Sequence, residues 1–179
     1  MHVMNGKTKY TLDTNLFVSL AINAGGPERI AMLELIHDKG ELVVFQYVLD
    51  ELARHIQNTK RFSEARRHRM QNVVDIIKEA RLEIVPTSFD DPYGVKSLMR
   101  DKKDLPILLT AVKKQTDILL TGDDDFLHIR LSLPTDKPII MTEDDFQHAY
   151  PKLMAQYMDY YNDEEISESF LFSRSALTR

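Results

Sequence analysis

The sequence predicts an α/β domain of three layers, αβα, with helices on both sides of a mainly parallel sheet of about five strands. Three observations carry this expectation. Short apolar or β-branched runs recur at 8–12, 42–45, 82–85, 117–121 and 138–141, separated by stretches of helical spacing. The run Leu42-Val43-Val44-Phe45 is apolar at every position, as in a strand buried on both faces. The chain has 179 residues, which suits one domain with a core large enough to need no covalent staples.

In chain order, Thr8 to Leu12 reads as the first strand and Asp13-Thr14-Asn15 ends it. A helical run follows from Leu16 to about Asn23, and Gly25-Gly26-Pro27 breaks it. Ile30, Leu33, Leu35 and Ile36 mark a second helix, closed near Gly40 ahead of the strand at 42–45. From Val48 to Leu52 the spacing is helical again. A further helix from about Ser63 to Ala80 places Met70, Val73, Val74 and Ile77 on one side. Pro86 stops the third strand. Phe89 to Lys103 shows no clear period. Asp104 can cap a helix with Pro106 in its first turn, where a missing N–H costs nothing, running to about Gln115. The strands at 117–121 and 138–141 follow, and Thr142 to Asp145 resembles a capping box ahead of Phe146.

The chain has no cysteine, which removes disulfides, zinc ribbons, Fe–S clusters and thiol nucleophiles together. No apolar run approaches the roughly 18–20 residues of a membrane span. MHVMNGKTKY offers no apolar stretch for a signal peptide, so the expected compartment is the cytoplasm. The net charge of −5 hides two blocks. Arg54, Lys60, Arg61, Arg66, Arg67 and Arg69 face only Glu64 in one of them, whereas residues 159–168 hold five acids and no base.

The acids carry the chemistry. In parallel sheets ligands bind beyond the carboxyl ends of the strands, at a topological switch point. Asp13 follows the first strand and Asp123 the fourth, Asp104 opens the helix leading into that fourth strand, and Glu51 lies on the helix after the second. Each alone is explained as a cap, a turn residue or a solvated helix position. Gathered at one sheet edge, they would repel one another unless a cation neutralised them, and hard divalent ions with oxygen ligands do so. Mg²⁺ or Mn²⁺ held there can lower the pKa of a water and orient it on a phosphodiester, with no protein nucleophile. This agrees with a chain that shows neither a Ser–His–Asp arrangement nor a GxxxxGK[ST] loop. His55, His68, His128 and His148 have no ligand-like spacing.

LDTN at 12–15, VLDEL at 48–52, DLPILLTA at 104–111 and LLTGDDDF at 119–126 resemble the PIN-domain ribonucleases. The nearest likeness is to the bacterial PIN-family toxins of toxin–antitoxin systems, the VapC-like group, and MTEDDF at 141–146 is similar to their closing segment. The resemblance covers roughly Tyr10 to Tyr150. It implies a PIN-like nuclease domain over 1–150; it says nothing of residues 151–179, which by spacing and composition read as a C-terminal helix and a partly disordered acidic, Ser-rich tail. It also implies endonucleolytic cleavage of single-stranded RNA with Mg²⁺ or Mn²⁺. By motif, the catalytic acids are Asp13, Glu51, Asp104 and Asp123, and the metal ligands Asp13, Asp104, Asp123 and Asp125. Asn15 and Thr121 match polar positions bordering the site. Asp125 is either a further acid of the site or the cap of the turn at Phe126. Pro106 departs from the family's pattern at a position where it does no harm.

RNA needs phosphate contacts beside these acids, and Arg54, Lys60, Arg61, Arg66, Arg67 and Arg69 are candidates. The alternatives are a solvated helical face, or a surface for an acidic partner or the chain's own tail. Expected partners are RNA, a cognate antitoxin, and a second copy in a homodimer. Met154, Tyr157, Tyr160 and Tyr161 recur at helical spacing, as for a face packed on the domain or on that copy. Competing readings are an RNA-processing nuclease that is not a toxin, a non-catalytic RNA-binding module, and a haloacid-dehalogenase-like phosphohydrolase. The last would use Asp13 and Gly122-Asp123-Asp124, but it has Asn15 where its second Asp belongs and leaves Glu51 and Asp104 without roles.

Overall fold

The computed structural model describes residues 7–23, 32, 35, 36, 38–79, 82–152, 154 and 155. Five strands form one sheet: β1 (Thr8–Leu12), β2 (Gly40–Phe45), β3 (Glu83–Val85), β4 (Ile118–Leu120) and β5 (Ile139–Met141), in the order β3-β2-β1-β4-β5. Every pairing is parallel, with Tyr10 opposite both Leu42 and Ile118. The helices among the described residues are α1 (Thr14–Asn23), α2 (Gln46–Gln57), α3 (Glu64–Glu79), α4 (Leu105–Lys114), α5 (Asp124–Ile129) and α6 (Glu143–Ala149). Met32, Leu35 and Ile36 are also helical and buried, where a second helix was expected; Ile30 and Leu33 lie outside the described residues.

Strand burial explains the layering. Tyr10, Thr11 and Leu12 of β1 and all of β4 are buried, although successive side chains point to opposite faces, so both faces of the sheet are covered. α1 and α2 both pack against α3. α3 buries Met70, Val73, Val74 and Ile77, the four positions that its spacing places on one side. α4 buries Pro106 through Val112 without interruption, which marks a helix enclosed on all sides. Gly40 is a close-approach position, since a Cβ there would stand 2.6 Å from the carbonyl oxygen of Thr8.

The order of strands positions the site. From β1 the chain builds outward through β2 to β3, then returns to place β4 and β5 on the other side of β1. The connections diverge between β1 and β4, and the backbone N–H of Asp13 donates to the Leu120 carbonyl across that gap at 3.0 Å.

Residues 89–103, unreadable in sequence, hold a single 3-10 turn at Val95–Ser97, entered through Gly94 at φ 70°. Asp91 fixes this turn by accepting from the N–H groups of Val95 (2.7 Å) and Lys96 (3.1 Å). Val95 and Met99 anchor it in the core. Two isolated anchors carry no period, so the pattern is silent there. The capping box at α6 forms as expected, with Thr142 and Asp145 bonded reciprocally. Of the C-terminal stripe only Met154 is among the described residues, and it is buried; Tyr157, Tyr160, Tyr161 and the acidic and Ser-rich tail lie outside them. No described helix is long and apolar enough to cross a membrane.

Candidate functional site

Asp13 ends β1 and starts α1. Its Oδ1 accepts from the N–H of Leu16 at 2.8 Å, a cap bond, and its Oδ2 accepts from the hydroxyl of Thr121. It therefore acts as a helix cap and stands in the acid cluster as well. The residue is 2% exposed, and burial pushes its carboxyl up to about 6. The bonds from Thr121 and Leu16 oppose that rise; the charges of Asp123 and Glu51 add to it.

Thr121, fully buried at the end of β4, accepts in turn from the N–H of Asp123 at 3.0 Å. Asp123 caps α5 by accepting from the N–H of Asp125 at 2.8 Å. The cap of this turn is thus Asp123 and not Asp125. The carboxylate of Asp125 instead takes Nε and Nη2 of Arg100 on a single oxygen, at 2.9 and 2.6 Å.

Asp104 occupies the N-cap position of α4, yet its side chain makes no cap bond. Burial first, and then the charges of Asp123, Asp101, Glu51 and Asp13, together push it up to about 7. Glu51, one turn into α2, accepts from the hydroxyl of Thr14 at 2.5 Å and stands 3.6 Å from Arg54. One turn before Glu51, Tyr47 donates its hydroxyl to the carbonyl of Lys103 at 2.7 Å, and Arg54 lies 5.4 Å from its ring centre. Burial and the charge of Glu51 raise this phenol, with Asp104 adding to them and Arg54 opposing. Tyr47 therefore links the helix that carries Glu51 to the residue before Asp104.

Asp13, Glu51, Asp104 and Asp123 thus arrive from four segments, and the charges of Glu51 and Asp123 act on both Asp13 and Asp104. Asn15 and Asp123 line an adjoining cleft of about 570 Å³ with Ser19, Asp124, Asp125 and Glu143. Thr14, Tyr47, Arg100 and Glu143 were not picked out from the sequence. Arg100 and Glu143 had a signal in hand, because MRDKKD runs into the third acid motif and MTEDDF includes Glu143.

The basic stretch divides. Arg54 stands beside the acids. α2 begins at the carboxyl end of β2 and carries the chain about 18 Å away, so Lys60 and the residues after it follow its far end. Lys60, Arg61 and Arg66 are exposed there, and Arg61 lies over the Phe62 ring. Arg69 is half-buried. Arg67 turns inward to the Ile56 carbonyl at 3.5 Å, and its buried Nε has no partner among the described residues.

No three Asp, Glu or His side chains among the described residues are gathered tightly enough to hold a metal ion as they stand. The acids are close enough to repel, not close enough to share an ion without side-chain rotation. In kind the donor set suits a hard divalent cation, being all oxygen. Among the described residues no Lys or Arg pairs with Asp13, Asp104 or Asp123. Two of these three acids keep protons toward neutral pH in the absence of a positive charge.

Comparison with known proteins agrees with this geometry. The PIN domain family model matches residues 9–125. Among solved structures the chain is similar to a chain in the crystal structure of VapBC2 from Rickettsia felis bound to a DNA fragment from their promoter. The TM-score is 0.56 at 24% identity, covering 75% of this chain and 98% of that one, a likeness of fold. Comparison with curated proteins gives no match. PIN domains are generally nucleases, and the haloacid-dehalogenase-like alternative falls with the family match. Because that match spans well over half of the chain and includes Asp13, Glu51, Asp104 and Asp123, the chain belongs to the PIN-domain family.

Proposed function

We propose that this protein is a divalent-metal-dependent endoribonuclease of the cytoplasm that cleaves single-stranded RNA, and that it is the toxin of a toxin–antitoxin pair. The observation that carries the chemistry is the meeting of Asp13, Glu51, Asp104 and Asp123 at the switch point, with Asp13 and Asp104 raised to about 6 and 7. Such a cluster costs stability without a cation and gains it with one. Asp13, Asp104 and Asp123 are the groups to hold Mg²⁺ or Mn²⁺, with Asp125 a further ligand when released from Arg100. The ion, when bound, supplies an activated water and charge for the leaving oxygen. Thr121 orients Asp13, and Thr14 orients Glu51. The fold shared with a chain of the Rickettsia felis VapBC2 complex supports the toxin assignment and an antitoxin as partner.

The test incubates the purified chain with labelled single-stranded RNA in Mn²⁺ or EDTA, beside Asp13→Asn. Cleavage is expected only with both metal and Asp13. Equal cleavage by Asp13→Asn would overturn the site, and cleavage in EDTA would overturn the metal. Mn²⁺ should also raise the melting temperature, more at pH 7.5 than at pH 5, since the ligands must lose their protons to bind. For the toxin, expression should arrest growth and co-expression of the antitoxin should restore it.

A further inference from the structure

The cleft beside the acids is itself strongly acidic, lined by Asp123, Asp124, Asp125 and Glu143, and a polyanion entering it meets repulsion. Among the described residues, a cation bonded to one of its lining acids is Arg100. Arg100 comes from the segment before α4, and its side chain is 65% exposed against 23% for its partner Asp125. Both of its bonded nitrogens converge on one carboxylate oxygen, which leaves the rest of the guanidinium fork facing solvent. Exposed ion pairs of this kind contribute little to stability, so the partner can be exchanged at low cost. The neighbouring Lys102 has no such freedom, because its ammonium is tied to the carbonyls of Lys96 and Met99 at 2.7 and 3.0 Å. Arg54, 60% exposed, stands more loosely beside Glu51, at 3.6 Å. Two exposed arginines thus stand beside carboxylates of the site, Arg100 at Asp125 and Arg54 at Glu51.

We propose that Arg100 is a phosphate-binding residue of the RNA site, exchanging Asp125 for a backbone phosphate. This rests on the RNA reading above. It assigns to Asp125 a second role as the resting place of that arginine.

The experiment measures anisotropy of a labelled single-stranded RNA with the full chain carrying Asp13→Asn, in Mg²⁺, across a series of salt concentrations. Adding Arg100→Ala should weaken binding about tenfold, the worth of one charge-assisted contact, and make the salt slope shallower by about one phosphate. Arg100→Lys should fall between, keeping charge and losing the fork. Lys78→Ala, on the exposed side of α3, is the control and should change neither. The decisive comparison adds Arg100→Ala to a chain already carrying Asp125→Ala. If Arg100 contacts RNA, it weakens binding there too; if it only neutralises Asp125, it changes nothing and the proposal is overturned. Unchanged affinity and slope in Arg100→Ala, or no binding by any of these chains, would also overturn it. A failure of the nuclease reading shows differently, as RNA binding without Mn²⁺-dependent cleavage by the unmutated chain, and leaves the Arg100 contact standing.

Discussion

The hydroxyl of Thr121 donates to Oδ2 of Asp13 while accepting from the backbone N–H of Asp123. One buried side chain thereby ties the ends of β1 and β4 together and orients the first acid relative to the last. Its single proton is committed to Asp13, and its lone pair to the turn that presents Asp123.

Thr121→Val removes both bonds at nearly constant shape. A donor that lowers the pKa of Asp13 is lost, so the acid limb of the cleavage pH profile should move to higher pH. Stability should fall by about 1–3 kcal/mol, the cost of unpaired buried polar groups. A pH–rate profile and urea denaturation check the two parts separately, and an unmoved acid limb would show that Thr121 does not tune Asp13.

Asp13→Asn should abolish cleavage and stabilise the metal-free chain. The sign follows from proton binding. Asp13 and Asp104 sit above their ordinary values, so between about pH 4 and 7 the folded state binds more protons than the unfolded state, and stability falls as pH rises. Their contribution is complete below pH 4 and lost through pH 6 to 7. His55, held below its ordinary value chiefly by burial, works in the opposite direction. Comparing Asp13→Asn with the unmutated chain isolates Asp13. In EDTA at pH 7.5 the variant should gain on the order of 2 kcal/mol, or roughly 5 °C, and at pH 4 almost nothing. Identical melting curves at pH 7.5 would mean that Asp13 ionises freely in the fold.

Tyr47→Phe keeps the ring under Arg54 and deletes only the bond to the Lys103 carbonyl. Asp104 has no side-chain bond of its own at its helix start, so its placement depends on the backbone that Tyr47 holds. The Mn²⁺ concentration giving half-maximal cleavage should rise roughly tenfold, as for other residues that orient ligands. The melting temperature should stay nearly constant, within about 0.5 kcal/mol of stability. Direct Mn²⁺ titration by calorimetry gives the same comparison without turnover. No change in either would reduce Tyr47 to a packing residue.

Arg66 and Arg67 are neighbours with different surroundings. Arg67 lies against the last turn of α2, where a cation is favoured by the free carbonyls. Arg67→Ala should cost about 1 kcal/mol of stability or more, with the salt slope of RNA binding unchanged. Arg66→Ala should leave stability within about 0.5 kcal/mol, and any loss of RNA affinity should come from this residue. A reduced salt slope in Arg67→Ala would contradict the inward placement.

The five strands and the acid-bearing helix starts were legible because each depends on local pattern. An unbroken apolar run such as 42–45 means burial on two faces, and Asp, Thr or Pro at a helix start satisfies or avoids unpaired N–H groups. Residues 89–103 were not legible, because their conformation rests on one Asp91 cap and two separated core anchors. The acids could be found, but not their states. Asp13 reads equally as cap and as site residue, and the structure shows it capping α1 while it faces the other acids. Arg67 reads as a candidate RNA contact or as part of a solvated basic face, and tertiary packing turns it to the Ile56 carbonyl.

The sequence by itself determined the alternation of strand and helix, the parallel sheet, and the placement of Asp13 and Asp123 just after strands, of Asp104 at a helix start and of Glu51 on the helix after β2. Those features follow from side-chain period and backbone capping, which act over a few residues. Only the tertiary structure decided which cations accompany the acids, that Thr121 and Thr14 orient two of them, and that Asp13 and Asp104 are the ones raised toward neutral pH. Burial and the distances between charges depend on segments as far apart as 108 residues, such as Asp13 and Thr121, and no local pattern encodes them.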